Sequence, residues 1–197
     1  EVLACGQENA RVGGLKYADL DGNGIINADD QTWILNPVPD FSYGINVGLD
    51  YKGFDLTVFL QGVQGVQVYN GQKFQTDFWS LTDAGSNKGS RLLNAWTTDN
   101  TSSLIPALTT NNTGDEGRAS TYFVENGSYL KLRDLSIGYS LPTRLLEKAK
   151  ITKTRFYLSG HNLLTLKSKS LTCKDPENPN WAYPLATSVT FGVQVGF

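Results

Sequence analysis

The 197-residue sequence predicts an all-β protein: an antiparallel transmembrane β-barrel segment whose strands are joined by long loops at one end. Three observations carry this prediction. Several segments alternate apolar with small polar residues, the connections between them alternate between short and long, and the last strand pattern runs up to a terminal aromatic, Phe197. No apolar run approaches the roughly 18 residues of a membrane helix, which excludes helical spans and leaves strand-built ones open.

The N-terminal segment, 1–40, carries its own signal. In "DLDGNGIINADD" (19–30), side-chain oxygens fall at loop positions one, three, five, nine and twelve: Asp19, Asp21, Asn23, Asn27 and Asp30. Gly24 takes the sixth position, where a calcium loop turns sharply, and Ile25 at the seventh would offer its backbone carbonyl. Ile26 is expected to turn inward as an anchor. Oxygen ligands in this number and order suit a hard cation, so Ca²⁺ is the expected cofactor.

From residue 41 onward the pattern is β. Phe41, Tyr43, Ile45, Val47, Leu49 and Tyr51 share one face against Ser42, Gly44, Asn46, Gly48 and Asp50. "KG" at 52–53 predicts a tight turn into 54–62, with Phe54, Leu56, Val58 and Leu60 on one face and Phe59 as the apolar exception on the other. A third strand is expected over 129–141. Leu135, Ile137, Tyr139 and Leu141 alternate there in opposite phase to Leu130 and Leu132, so a bulge is expected near Arg133–Asp134. Pro142 ends it, and "TRLLEKAKI" reads as a helical turn or loop leading to a strand over 154–166. The last strand, 188–197, alternates Val189, Phe191, Val193, Val195 and Phe197 with Ser188, Thr190, Gly192, Gln194 and Gly196.

Alternation by itself also fits the core of a soluble sandwich. The terminal Phe197, the Gly/Ser/Asn-rich opposite faces and the Tyr and Phe near strand ends tilt the reading toward lipid on one side and water on the other. In outer-membrane barrels short turns face the periplasm and long loops the exterior. Counting back from a periplasmic C-terminus, the long segments 63–127 and 168–187 and the 19–30 loop fall outside the cell.

The remaining candidates are weaker. A formal charge of −2 lends no support to nucleic-acid binding. His161 is the only histidine, expected as a satisfied strand residue rather than a ligand. Cys5 and Cys173 admit a long-range disulfide or two isolated thiols. Trp79, Trp96, Tyr122 and Trp181 could stack on sugar rings, although packing is the expected role for most of them. Asp115–Glu116 is expected to be solvated loop charge, and with no nucleophile–base pair or phosphate loop the chain is not expected to be an enzyme. The start, "EVLACGQENA", lacks a charged and then apolar leader, which points to a start inside a longer polypeptide or after processing.

Several ordered stretches carry a resemblance. "YADLDGNGIINADDQTWILNPVPDFSYGINVGLDYKGFDLTVFLQGVQG", "FVENGSYLKLRDLSIGYSLP", "RFYLSGHNLLTL" and "YPLATSVTFGVQVGF" resemble the last part of the SusC/RagA family of TonB-linked outer-membrane transporters. The resemblance implies the C-terminal strands of a large plugged barrel of the roughly 22-stranded type. It implies import of oligosaccharides or peptides, a SusD-like lid lipoprotein, and energy delivered through TonB, which would engage a part absent here. The chain departs from the full pattern in having no TonB box, no plug and too few strands, so its first partners are the remainder of the same barrel and outer-membrane lipid. The alternative is a soluble extracellular β-module, stabilised by calcium and binding glycans or partner proteins.

Overall fold

The computed structural model describes residues 6–78, 87–110, 116–147, 151–179 and 183–197. The chain divides into two compact units, Glu1–Leu35 with Tyr69–Val124 and Asn36–Val68 with Glu125–Phe197.

The second unit is built on one antiparallel sheet. Its strands are β1 (Phe41–Tyr51), β2 (Phe54–Gln64), β5 (Tyr129–Ser140), β6 (Lys153–Lys167) and β7 (Ser188–Gly196), in the spatial order β1-β2-β5-β6-β7. Their lengths, from 9 residues in β7 to 15 in β6, meet the roughly 9–11 residues that a tilted strand needs to cross a bilayer. β1 and β2 pair without interruption from Phe41↔Gln64 to Tyr51↔Phe54. The turn between them places Lys52 at φ 47° and Gly53 at φ 87°, the paired positive angles of a primed hairpin turn, which glycine adopts without steric cost.

The phase switch read in β5 is a bulge. Phe59 opposes Asp134 and Leu60 opposes Leu132, leaving Arg133 as the extra residue. β6 answers it: Leu132 pairs with Leu164 and Asp134 with His161, so Asn162 (φ 51°) and Leu163 are its additional residues. The bulge preserves the apolar side of the sheet on both sides of the shift.

Register then assembles the alternating residues into rows. Leu49, Leu56, Ile137, Leu158 and Phe191 form one apolar row across all the strands. Tyr51, Phe54, Tyr139 and Phe156 form an aromatic row ending at Val193, with the Phe54 and Tyr139 rings 4.5 Å apart. On the opposite side Gly48, Thr57, Ser136, Ser159 and Thr190 make a row of small residues. The apolar rows are open to the surroundings: Leu49 is 58% exposed, Ile137 47%, Leu158 49% and Phe191 68%. A contiguous greasy surface of this kind is foreign to a water-soluble face and matches the lipid band of a membrane barrel.

The described residues of the long connection after β2 are more ordered than its loop-like composition predicts. β2 continues to Gln64, and β3 (Gln67–Tyr69) and β4 (Val124–Asn126) form a two-stranded sheet. Three-residue strands are too short to show a period in sequence. A single turn of helix, α1 (Lys73–Thr76), follows β3, and 3-10 turns lie at Ser90–Asn94 and Thr121–Phe123. In the first unit Phe123 is fully buried. Phe74 stacks on it at 4.4 Å, with Tyr69, Phe78 and Tyr122 around it at 5.3–5.9 Å. Leu92, Ala95 and Ile105 form a second small core there. A short helix, α2 (Thr143–Leu146), follows Pro142, as its composition predicts.

Candidate functional site

The 19–30 loop folds around its own backbone. The Asp19 carboxylate accepts the N–H groups of Gly22 (2.7 Å) and Gly24 (2.8 Å), and Asp21 accepts that of Asn23 (3.0 Å). Asp30 accepts from Leu20 (2.7 Å) and Asn27 (2.8 Å), closing the loop end to end. Those donors hold the Asp30 carboxyl below its ordinary value, the Asn27 N–H most of all. One carboxylate oxygen from each of Asp19, Asp21 and Asp30 lies within 4.8 Å of the others. Three anions at this spacing repel one another, and a bound cation would reverse that repulsion.

The other candidate ligands are differently engaged. Asn23 accepts the Ile25 N–H (2.7 Å) while its amide nitrogen donates to Asp21 (2.7 Å). Asn27 caps the 3-10 turn Ala28–Asp30 by accepting the Asp29 N–H (2.6 Å). The Ile25 side chain is 60% exposed, and Ile26 is half-buried with its N–H donating to Gly6.

The polar side of the sheet holds a second cluster, entirely within the second unit. Tyr129, Lys131 and Arg133 occupy alternate positions of β5 and converge on the connection between β6 and β7. Glu177 accepts from the Tyr129 hydroxyl (2.8 Å), from Lys131 Nζ (2.6 Å) and from Arg133 Nη2. Lys131, 1% exposed, also donates to Asp175 (2.8 Å). Arg133 reaches Gln61 on β2 (2.6 Å) and Asn162 on β6 (3.0 Å), so the bulge aims one guanidinium at three elements. Burial raises both carboxyls of the connection, but Lys131 and the other donors outweigh it and leave Asp175 and Glu177 below their ordinary values. A cleft of about 210 Å³ beside the cluster is lined by Lys131, Asn162, Leu163, Lys174, Asp175 and Leu185 among others.

Other sequence candidates resolve individually. His161 pairs through Nδ1 with Asp134, its cross-strand neighbour. Cys173 is a free thiol, 1% exposed, while Cys5 lies outside the described residues. Trp96 packs over Gly13, where an added Cβ would come within 2.5 Å of the ring, and Tyr122 donates to the buried Asp77 carboxylate (2.6 Å). Both therefore serve packing, and Trp79 and Trp181 lie outside the described residues. The expectation of solvated charge at Asp115–Glu116 is corrected for Glu116. It is 1% exposed and bound by Arg11 at 2.5 Å, because a partner 105 positions away neutralises it. Asp115 is outside the described residues. The Asp175–Glu177 cluster was not singled out in the sequence. Its one local trace is the alternation of Tyr129, Lys131 and Arg133, three hydrogen-bond donors on the side that otherwise carries small residues.

No protein-family model matches the chain. It is 38% identical over 156 residues to TonB-dependent receptor P3 of Formosa agariphila, an alignment covering 78% of this chain and 14% of that protein. It is 30% identical over 213 residues to TonB-dependent receptor P26 of the same organism, covering 100% and 21%. It is 28% identical over 194 residues to TonB-dependent receptor SusC of Bacteroides thetaiotaomicron, covering 92% and 17%. The chain thus spans about a fifth or less of these relatives. Among solved structures it is similar to the RagAB peptide transporter, with TM-score 0.72 and 28% identity over 89% of this chain and 19% of that one. A RagAB peptide importer in the closed-closed state gives TM-score 0.73 and 30% identity over 91% and 20%. The membrane-length strands, the apolar rows on one side with an aromatic row at the turn end, and likenesses that all fall on one kind of protein lead to one assignment: this chain is a barrel segment belonging to the SusC/RagA family of TonB-linked outer-membrane proteins.

Proposed function

We propose that this segment forms part of the wall and outside loops of a TonB-dependent active transporter that imports oligosaccharides or peptides with a SusD-like lid lipoprotein. The carrying observation is the pair of opposed surfaces on one sheet: apolar rows for lipid, and small and charged residues for a watery passage. Each outer strand, β1 and β7, leaves one edge unpaired among the described residues, and the remainder of the barrel is the natural occupant of both. The solved likeness to a peptide transporter favours peptides, and the relationship to SusC keeps oligosaccharides in view.

In this reading the short turn at 52–53 faces the periplasm together with the C-terminus, and 1–40, 63–127 and 168–187 form the outside surface. The 19–30 loop would then hold Ca²⁺ where it is plentiful, with the weak affinity of extracellular sites, on the order of 10⁻⁴–10⁻³ M. Asp19, Asp21 and Asp30 would supply charge. Asn23, the Ile25 carbonyl and Asn27 would complete the shell. The ion's role is structural, holding a dozen residues that are costly to order. Uptake of labelled peptides and labelled oligosaccharides by cells carrying the full receptor, with and without TonB, tests the transport reading. Accumulation of neither, with the receptor present in the outer membrane, rejects it.

A further inference from the structure

The connection Leu171–Pro179 is pinned at several points, unlike a mobile lid. Upstream, the Thr172 N–H (2.9 Å) and hydroxyl (2.7 Å) donate to the two oxygens of Glu125 on β4. Leu171, Cys173 and Asp175 are buried in alternation, at 3%, 1% and 6% exposure, and Lys167 Nζ donates to the Cys173 carbonyl. Downstream, Asp175 accepts the Leu185 N–H (3.0 Å), tying in the far end of the connection. At its centre Glu177 receives three donors from one strand.

We propose that Glu177 is a latch that fixes this strap against the polar face of β5, so that the strap is a permanent narrowing of the transport passage and not a gate. The proposal rests on the barrel reading, in which that face lines the passage. Its physical basis is the pair of cations beneath the strap. Lifting Glu177 and Asp175 away would leave Lys131 and Arg133 on the same face of β5 without a carboxylate between them, and like charges then oppose opening. Pro176 and Pro179 limit the backbone freedom that opening would gain.

Cys173 reports the latch directly, because a buried thiol reacts with a maleimide only when the strap opens. Labelling is followed peptide by peptide in outer-membrane vesicles carrying the full receptor, beside heat-modifiable migration of the folded barrel. In the wild type Cys173 stays unlabelled over a period that saturates the denatured protein. Tyr129→Phe, which removes one neutral donor, raises the rate by about threefold, and Glu177→Gln by about tenfold or more. Labelling of the wild type at the denatured rate, or no acceleration in Glu177→Gln, overturns the latch. Where Glu177→Gln does not fold, unchanged labelling in Tyr129→Phe overturns it. Loss of heat-modifiable migration in the wild type counts instead against the barrel reading.

Discussion

Arg155 on β6 grips both carboxylate oxygens of Asp55 on β2, reaching across the full width of β5. Its Nε donates to Oδ1 at 2.8 Å and its Nη2 donates to Oδ2. The residue beneath the bridge is Gly138, cross-strand neighbour of Asp55, where an added Cβ would lie 2.4 Å from Asp55 Oδ1 and 2.5 Å from Arg155 Nε. The missing side chain is what lets two strands that do not touch share an ion pair, and bidentate geometry gives that pair its specificity.

Gly138→Val should therefore break the bridge without altering either charged residue. The expected loss is about 1–2 kcal/mol, reduced from the value for a dry pair because both side chains retain some solvent contact. The temperature at which the full receptor loses heat-modifiable migration measures it. Arg155→Gln should cost a similar amount, and combining the two should add little. Full additivity would show that Gly138 acts on something other than this pair.

The two sides of β7 should respond oppositely to charge. Val193 lies on the apolar side at 47% exposure, and Gln194 on the polar side, 3.5 Å from Arg155 Nη1. Val193 closes the aromatic row, so Val193→Arg should destabilise the folded barrel by about 1 kcal/mol, the interfacial end of a cost that reaches roughly 2–4 kcal/mol at the bilayer midplane. Gln194→Arg should cost well under that. Equal losses in unfolding measured from lipid vesicles would contradict the assigned orientation of the sheet.

Calcium binding at 19–30 should be weak and dependent on charge. Terbium luminescence displaced by calcium, with half-displacement on the order of 10⁻⁴–10⁻³ M, is the expected signal, and Asp19→Ala should abolish it. An undiminished signal in Asp19→Ala would place the ion elsewhere. Removal of calcium should also raise proteolytic cleavage within 19–30 while leaving the strands protected.

The strap should survive mild acid. Asp175 and Glu177 have folded-state values below the ordinary 3.8 and 4.5, so their contribution to stability is complete above those values. It is lost only as the pH falls through the lower folded values. Hydrogen exchange of the 168–179 segment, corrected for intrinsic rates, should show the same protection at pH 7 and pH 5 and lose it below the ordinary carboxylate range. Loss between pH 7 and pH 5 would contradict the lowered values of Asp175 and Glu177.

Local pattern was sufficient for much of this protein. The period-two alternation in 41–51 and 188–196 set those strands and their apolar sides, because a residue's face follows from its position alone. The phase reversal between Leu132 and Leu135 located the bulge at Arg133 for the same reason. The oxygen spacing in 19–30 brought Asp19, Asp21 and Asp30 together, since all three lie within one short loop.

Tertiary structure alone decided the contacts that depend on register between distant segments. The hydrogen-bonded pairs that join Lys131 to Asp175 and Tyr129 to Glu177 are separated by 44 and 48 positions, and Arg11 reaches Glu116 across 105. Nothing in the composition around Glu116 distinguishes a buried partner of arginine from a solvated acid. The difference lies in which cation the folded chain delivers and how much water it removes. Gly138 likewise reads as one more small residue in a polar row until register sets Asp55 opposite it and Arg155, the cross-strand neighbour of Ser140, near enough to reach over it. Alternation is a property of neighbouring residues, whereas the worth of a charge depends on the dielectric and the partners that only the assembled sheet supplies.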